Sequence, residues 1–161
     1  MTNLSRFECG TSAAELIEAI NKVPECALLV VSGHAADGEI YVFGAFIARP
    51  LEDGPCIQPC VHIENEWSFD ERALLFQLSP THDVFRGKSG MPAWCLSDDD
   101  VVLGDKAYGV ALTIDGSLTK ASFTHGLFDA DEKGVYRPTE HRGDFKTLLT
   151  VNGVEVWGEC V

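Results

Sequence analysis

"FKTLLTVNGVEVWGE" (residues 145–159) decides how this chain folds. Apolar and polar residues alternate on either side of Asn152-Gly153, a pair that suits a two-residue turn with positive φ. The stretch is therefore expected to be a hairpin, with Val151 facing Val154, Thr150 facing Glu155, Leu149 facing Val156 and Leu148 facing Trp157. Alternation then places Leu149, Val151, Val154 and Val156 on one face, and Leu148, Thr150, Glu155 and Trp157 on the other. Lys146 and Glu159 would form a cross-strand pair. Glu155, beside two large apolar groups, is expected to be partly buried and hydrogen-bonded. A one-residue bulge at Gly153 would change these partners.

Working back from there, the chain is rich in short β-prone runs punctuated by Gly, Asp or Pro: "ALLVV", "YVFGAFIA", "ALLFQLSP", "DVFRG", "AWCLS", "DVVLG" and "YGVALTIDGSLTKASF". Asp37-Gly38 and Asp115-Gly116 mark further turns. "ALLVV" (residues 27–31) is apolar throughout, which suits a strand buried on both faces. One helix stands apart. In "TSAAELIEAINKVP", Ser12 and Glu15 have capping-box spacing, Leu16, Ile17, Ile20 and Val23 share a face, and Pro24 ends the run. The expected architecture is mainly β with flanking helices (α+β), a two-sheet antiparallel sandwich. At 161 residues the chain is read as a single domain over 1–161, with residues 1–11 disordered or the remnant of a missing N-terminal segment.

Charge narrows the function. Twelve Lys plus Arg against twenty-five Asp plus Glu give a net charge of −13, which repels phosphate backbones and anionic headgroups and favours a basic protein surface. No nucleic acid partner and no membrane insertion are expected, since no apolar stretch nears the ~18 residues that span a bilayer. The expected compartment is the cytoplasm, and the six cysteines read as mostly free thiols.

Chemistry-bearing motifs are sparse. Cys56, Cys60 and His62 in "CIQPCVH" are soft ligands, but a second ligand pair for structural zinc is missing. "DADEKGVYRPTE" (residues 129–140) has the outline of a calcium loop, yet Lys133 and Arg137 stand where oxygen ligands belong. No metal and no cofactor are therefore expected. Asp98 and Asp100 read as a solvated loop edge. His34, His82 and His125 lack a nucleophile-elbow serine, which leaves no catalytic residue to name. The rival reading is a thiol-based enzyme acting on oxidants, with Cys60 or Cys95 reactive only if a nearby cation lowers its pKa.

The order of four segments carries more. "LLVVSGHAADGEIYVFGAF", "LLFQLSPTHDVFRG", "DDDVVLGDKAYGVALTIDGSLTKASF" and "DFKTLLTVNGVEVWGE" together resemble a TLDc domain, the domain of the oxidation-resistance proteins. The motif positions that carry the resemblance are Gly44, Gly104, Gly109, Phe123, His125, Glu155, Trp157 and Gly158. Two departures stand out. The N-terminus looks short for the family, and "SFTHG" puts His125 where the family usually has Asn. The resemblance implies a β-sandwich, a protein partner that is a subunit of the vacuolar-type proton pump (V-ATPase), regulation of pump assembly, and protection against oxidative stress. It further implies a monomer in the cytoplasm, at the vacuolar or lysosomal membrane through its partner.

Overall fold

The computed structural model describes residues 4–23, 26–47, 73–88, 94–97, 99–128 and 134–159, the side chains of 94–97 and of 159 excepted. They form ten strands and one α-helix: β1 (Leu4–Phe7), α1 (Ala13–Asn21), β2 (Ala27–His34), β3 (Ile40–Ile47), β4 (Leu74–Ser79), β5 (Asp83–Arg86), β6 (Trp94–Ser97), β7 (Asp100–Asp105), β8 (Tyr108–Ile114), β9 (Lys120–His125) and β10 (Phe145–Glu159), with a 3-10 turn at Glu140–Arg142. Leu4–Phe7, within the segment expected to be disordered or remnant, is thus a strand.

The expected hairpin at Asn152-Gly153 does not form. Residues 145–159 make one continuous strand, β10. Its first half pairs with β9 and its second half with β2, and the register shifts between Val151 and Gly153. The extra residue, Asn152, is a bulge, and Gly153 lacks the positive φ that the turn would demand. β1 pairs with the end of β10, setting Arg6 opposite Trp157 and Leu4 opposite Glu159, so Glu159 has no pairing with Lys146. Leu148 is 63% exposed and lies opposite Ser122 on β9, far along the strand from Trp157.

Two separate sheets are not what hydrogen bonding draws either. One antiparallel sheet runs in the order β5-β4-β3-β2-β10-β9-β8-β7-β6, with β1 attached to β10 outside that path. The sheet nevertheless folds back on itself. β5 and β9 are five steps apart, about 24 Å in a flat sheet at ~4.8 Å per step. Phe85 on β5 and Phe123 on β9 instead lie with ring centroids 5.3 Å apart, and Phe43 on β3 stacks on Phe123 at 4.2 Å. The inner faces of β2–β5 and β7–β9 therefore share one core. Bulged, long β10 is the hinge line between them.

Pattern explains the rest. β2 alternates buried and half-buried positions, so its inner face is Ala27, Leu29, Val31 and Gly33, and it is not buried equally on both faces as expected. Asp37-Gly38 turns β2 into β3, with Gly38 at φ +84°. In α1, Ser12 Oγ accepts from the Glu15 N–H at 3.3 Å and the Glu15 carboxylate accepts from Thr11 N–H at 2.7 Å, the reciprocal cap that the sequence promised. Those hydrogen bonds hold the Glu15 carboxyl below its ordinary pKa. Leu16, Ile17, Ile20 and Val23 join the common core.

Candidate functional site

The folded sheet brings β5, at one of its ends, against β9 along a seam, and residues 134–143 run across it as a strap. Val135 C=O accepts from Lys88 N–H, Arg137 N–H donates to Arg86 C=O, and Tyr136 is bridged to both Gly87 and Val110. The strap thus joins the end of β5 to β8. Two of the glycines marked in the sequence explain how it fits. Gly104 (φ +96°) and Gly109 (φ +71°) occupy conformations that side chains rarely adopt, and a Cβ on either would strike backbone or Tyr136.

His125 lies beneath the strap, 1% exposed. Its Nε2 is 2.8 Å from Thr139 N–H, a group that can only donate, so Nε2 is the bare acceptor. The proton must then sit on Nδ1, which donates to the Gly143 C=O at 2.7 Å. This fixes a neutral imidazole in one tautomer. Burial, the largest cause, pushes its pKa below the ordinary value, with the Arg142 cation acting the same way against weaker pulls from Gly143, Asp83 and Asp144. Phe145 stacks on the ring at 5.0 Å and Phe85 tilts against it at 5.4 Å.

Beside the imidazole is an ion pair. Arg142 Nη1 is 3.4 Å from Asp83 Oδ2, the side chains being 17% and 14% exposed. The same nitrogen donates to Gln77 Oε1 at 2.7 Å, and the guanidinium lies 4.5 Å over the Phe145 ring. Asp83 Oδ1 accepts from Thr139 Oγ1 at 3.1 Å and from Val84 N–H at 2.9 Å. Three separate stretches of chain thus meet in one cluster: Gln77 and Asp83; His125; and Thr139 and Arg142, backed by the Phe145 ring.

Chemically, this cluster is a clasp. Both nitrogens of His125 are taken by backbone groups, leaving neither to relay a proton to a hydroxyl or thiol. Among the described residues there is no grouping of His, Cys, Asp and Glu suited to a metal ion. Cys9 is buried, its thiol is pushed up chiefly by burial, and its Sγ donates to Val154 C=O at 2.9 Å, the setting of an inert thiol. Cys56, Cys60 and His62 lie outside the described residues, as does the side chain of Cys95.

The remaining marked positions sort into places. Phe123 is the aromatic centre of the core, stacked on Phe43. Gly44 on β3 lets Phe76 lie flat against its backbone; a Cβ there would collide with that ring and with Leu29 C=O. Glu155, Trp157 and Gly158 are at the other end, around β1. Glu155 is half-buried and hydrogen-bonded, as expected: its side chain is 39% exposed, lies 3.5 Å from Arg6, and accepts from Trp157 Nε1 at 3.1 Å. Gly158 faces inward, where a Cβ would lie 2.2 Å from Val23 Cγ1 beyond the end of α1. Apart from Gly44 on β3, the marked residues therefore form two separate groups, at the seam and at the β1 end. Sequence reading missed Gln77, Asp83, Thr139 and Arg142, which come from segments too far apart for any spacing rule.

Comparison with known proteins follows the same outline. A family model described as the TLDc domain matches residues 5–159. The Restriction of telomere capping protein 5 of Pyricularia oryzae (strain 70-15 / ATCC MYA-4617 / FGSC 8958) is 32% identical over 148 residues, which covers 74% of this chain. The match covers 22% of that relative's length.

Proposed function

Because this chain belongs to the TLDc domain family, we propose that it is a non-catalytic protein-binding domain that docks on a V-ATPase subunit, regulates pump assembly and protects against oxidative stress. The observation that carries this reading is the family match across residues 5–159. The net charge of −13 supports it, since a surface so acidic is steered toward a basic protein face and away from nucleic acid. The same reading puts the domain in the cytoplasm, held at a vacuolar or lysosomal membrane through its partner, and acting as a monomer. In the family's terms, β2–β5 and β6–β9 are the two layers of a sandwich that shares β10. The name of the fungal relative points to telomere capping in that protein, and nothing in the geometry of this chain favours that role over docking on the pump.

The test is direct. The protein is immobilised and the cytosolic sector of the pump is passed over it at low and at moderate salt. Retention that weakens as salt rises is expected, because the Debye length shrinks and steering between charged faces fades. No retention at either salt concentration overturns the reading.

A further inference from the structure

We propose that the turn of the strap over residues 139–143 is an acid-released latch, held shut by neutral His125 and opened when Nε2 takes a proton from solvent. Geometry carries this. Nε2 faces the Thr139 N–H at 2.8 Å, and that N–H is fixed in the backbone and cannot reverse its role. A proton on Nε2 sets two donors against each other, so the contact must break. Thr139 is the hub of the latch. Its carbonyl accepts from Arg142 N–H and its hydroxyl donates to Asp83, so moving it also loosens the turn that places Arg142 against Asp83 and Gln77. The hold is confined to this turn, because the ladder from Val135 to Arg137 onto β5 does not involve the imidazole.

The charges around the ring set the direction. β5 offers Asp83, already matched by Arg142 from the 3-10 turn, which also carries Glu140 and His141 at the surface. Asp144, at the entrance to β10, accepts from Leu127 N–H. β3 contributes Tyr41, whose hydroxyl donates to Glu39. β4 contributes neutral Gln77. Lys146 on β10 is on the outward face. Burial, the largest cause, and the Arg142 cation favour the neutral ring; the Gly143 carbonyl, second in size, and the carboxylates of Asp83 and Asp144 oppose them, and burial prevails. A histidine whose folded pKa lies below its unfolded value of 6.5 gives stability that is complete above that pH and is lost as pH falls toward the folded value. The latch is therefore closed at neutral pH and opens as pH falls below the ordinary imidazole value toward the folded one. It stands apart from the docking reading and holds whatever partner the domain meets.

The experiment is a nitrogen-15 NMR titration of the whole chain from pH 8 to pH 5, following the ring nitrogens of His125 and the exchange of the Thr139 amide. At the alkaline end, Nδ1 carries the proton and Nε2 does not. As the ring titrates, Thr139 exchange, corrected for its intrinsic pH dependence, is expected to rise roughly tenfold, the loss of about one buried hydrogen bond. In His125→Gln, which keeps an amide acceptor and cannot titrate, that pH dependence disappears. The proposal is overturned if Thr139 protection stays level through the titration, if the response persists in His125→Gln, or if His125 stays neutral until the whole domain unfolds. The titration of the unaltered protein decides the matter even if His125→Gln does not fold.

Discussion

At the scale of single residues, the motif carboxylate of β10 has an ordinary duty. Glu155 accepts from the Trp157 indole and sits 3.5 Å from Arg6, in a position partly open to solvent. Exposed pairs of this kind contribute little because water screens them and two long side chains must be held still. Glu155→Ala is thus expected to cost less than about 1 kcal/mol in a urea unfolding experiment. A loss of about 3 kcal/mol, as for a broken buried pair, would show the carboxylate to be far better enclosed than its exposure indicates. His125 is the reverse case. A lone histidine in "SFTHG" reads as a surface residue, yet its ring is the fixed centre of a buried clasp. Nothing local in the sequence separates the two, because burial comes from Phe85, Phe145 and the strap, which lie far from it in the chain.

At the scale of elements, β10 shows which parts of a fold can be read and which cannot. Its face pattern was legible: Leu149, Val154 and Val156 are buried, Val151 is packed against the same core, and Leu148 and Thr150 point away. Its connectivity was not. A two-residue turn between Val151 and Val154 and a single-residue bulge at Asn152 each put those two valines on one face, so alternation fits both. What decides is the supply of partners, β9 for one half and β2 for the other, which no local pattern encodes. Deleting Asn152 removes the extra residue and leaves Val151, Gly153 and Val154 opposite Gly33, Ser32 and Val31 in unbroken alternation, so both halves of β10 keep their apolar face inward. The deletion variant is expected to keep a cooperative urea transition and its near-ultraviolet circular dichroism; loss of both would refute the bulge, because a residue that sets the pairing cannot be removed without breaking it. The far end of β10 gives a second test. A Cβ at residue 158 falls 2.2 Å from Val23 Cγ1, so Gly158→Ala is expected to cost about 1–3 kcal/mol by overpacking. Val23→Ala alone leaves a void, but in the double variant the new methyl fills it. The two changes together should therefore cost at least ~1 kcal/mol less than their sum. Additive losses would mean that strand and helix end do not touch there.

At the scale of the molecule, one sheet must close on itself while carrying a net charge of −13. The core of both halves and the strap at their seam oppose the repulsion that so many carboxylates exert on a compact state. Attraction to a partner and repulsion within the chain then respond to salt with opposite signs. Raising sodium chloride from about 20 mM to about 200 mM shortens the screening distance from roughly 20 Å to roughly 7 Å. Self-repulsion should fade first, so the thermal midpoint of the isolated domain is expected to rise by about 2–5 °C. Over the same range, docking steered by the acidic surface should weaken. Thermal scans and partner retention in matched buffers separate these effects. A midpoint that falls with salt would mean that pairs such as Arg142–Asp83 outweigh the surplus of negative charge, and that closure of the sheet leans on electrostatic attraction more than on its apolar core.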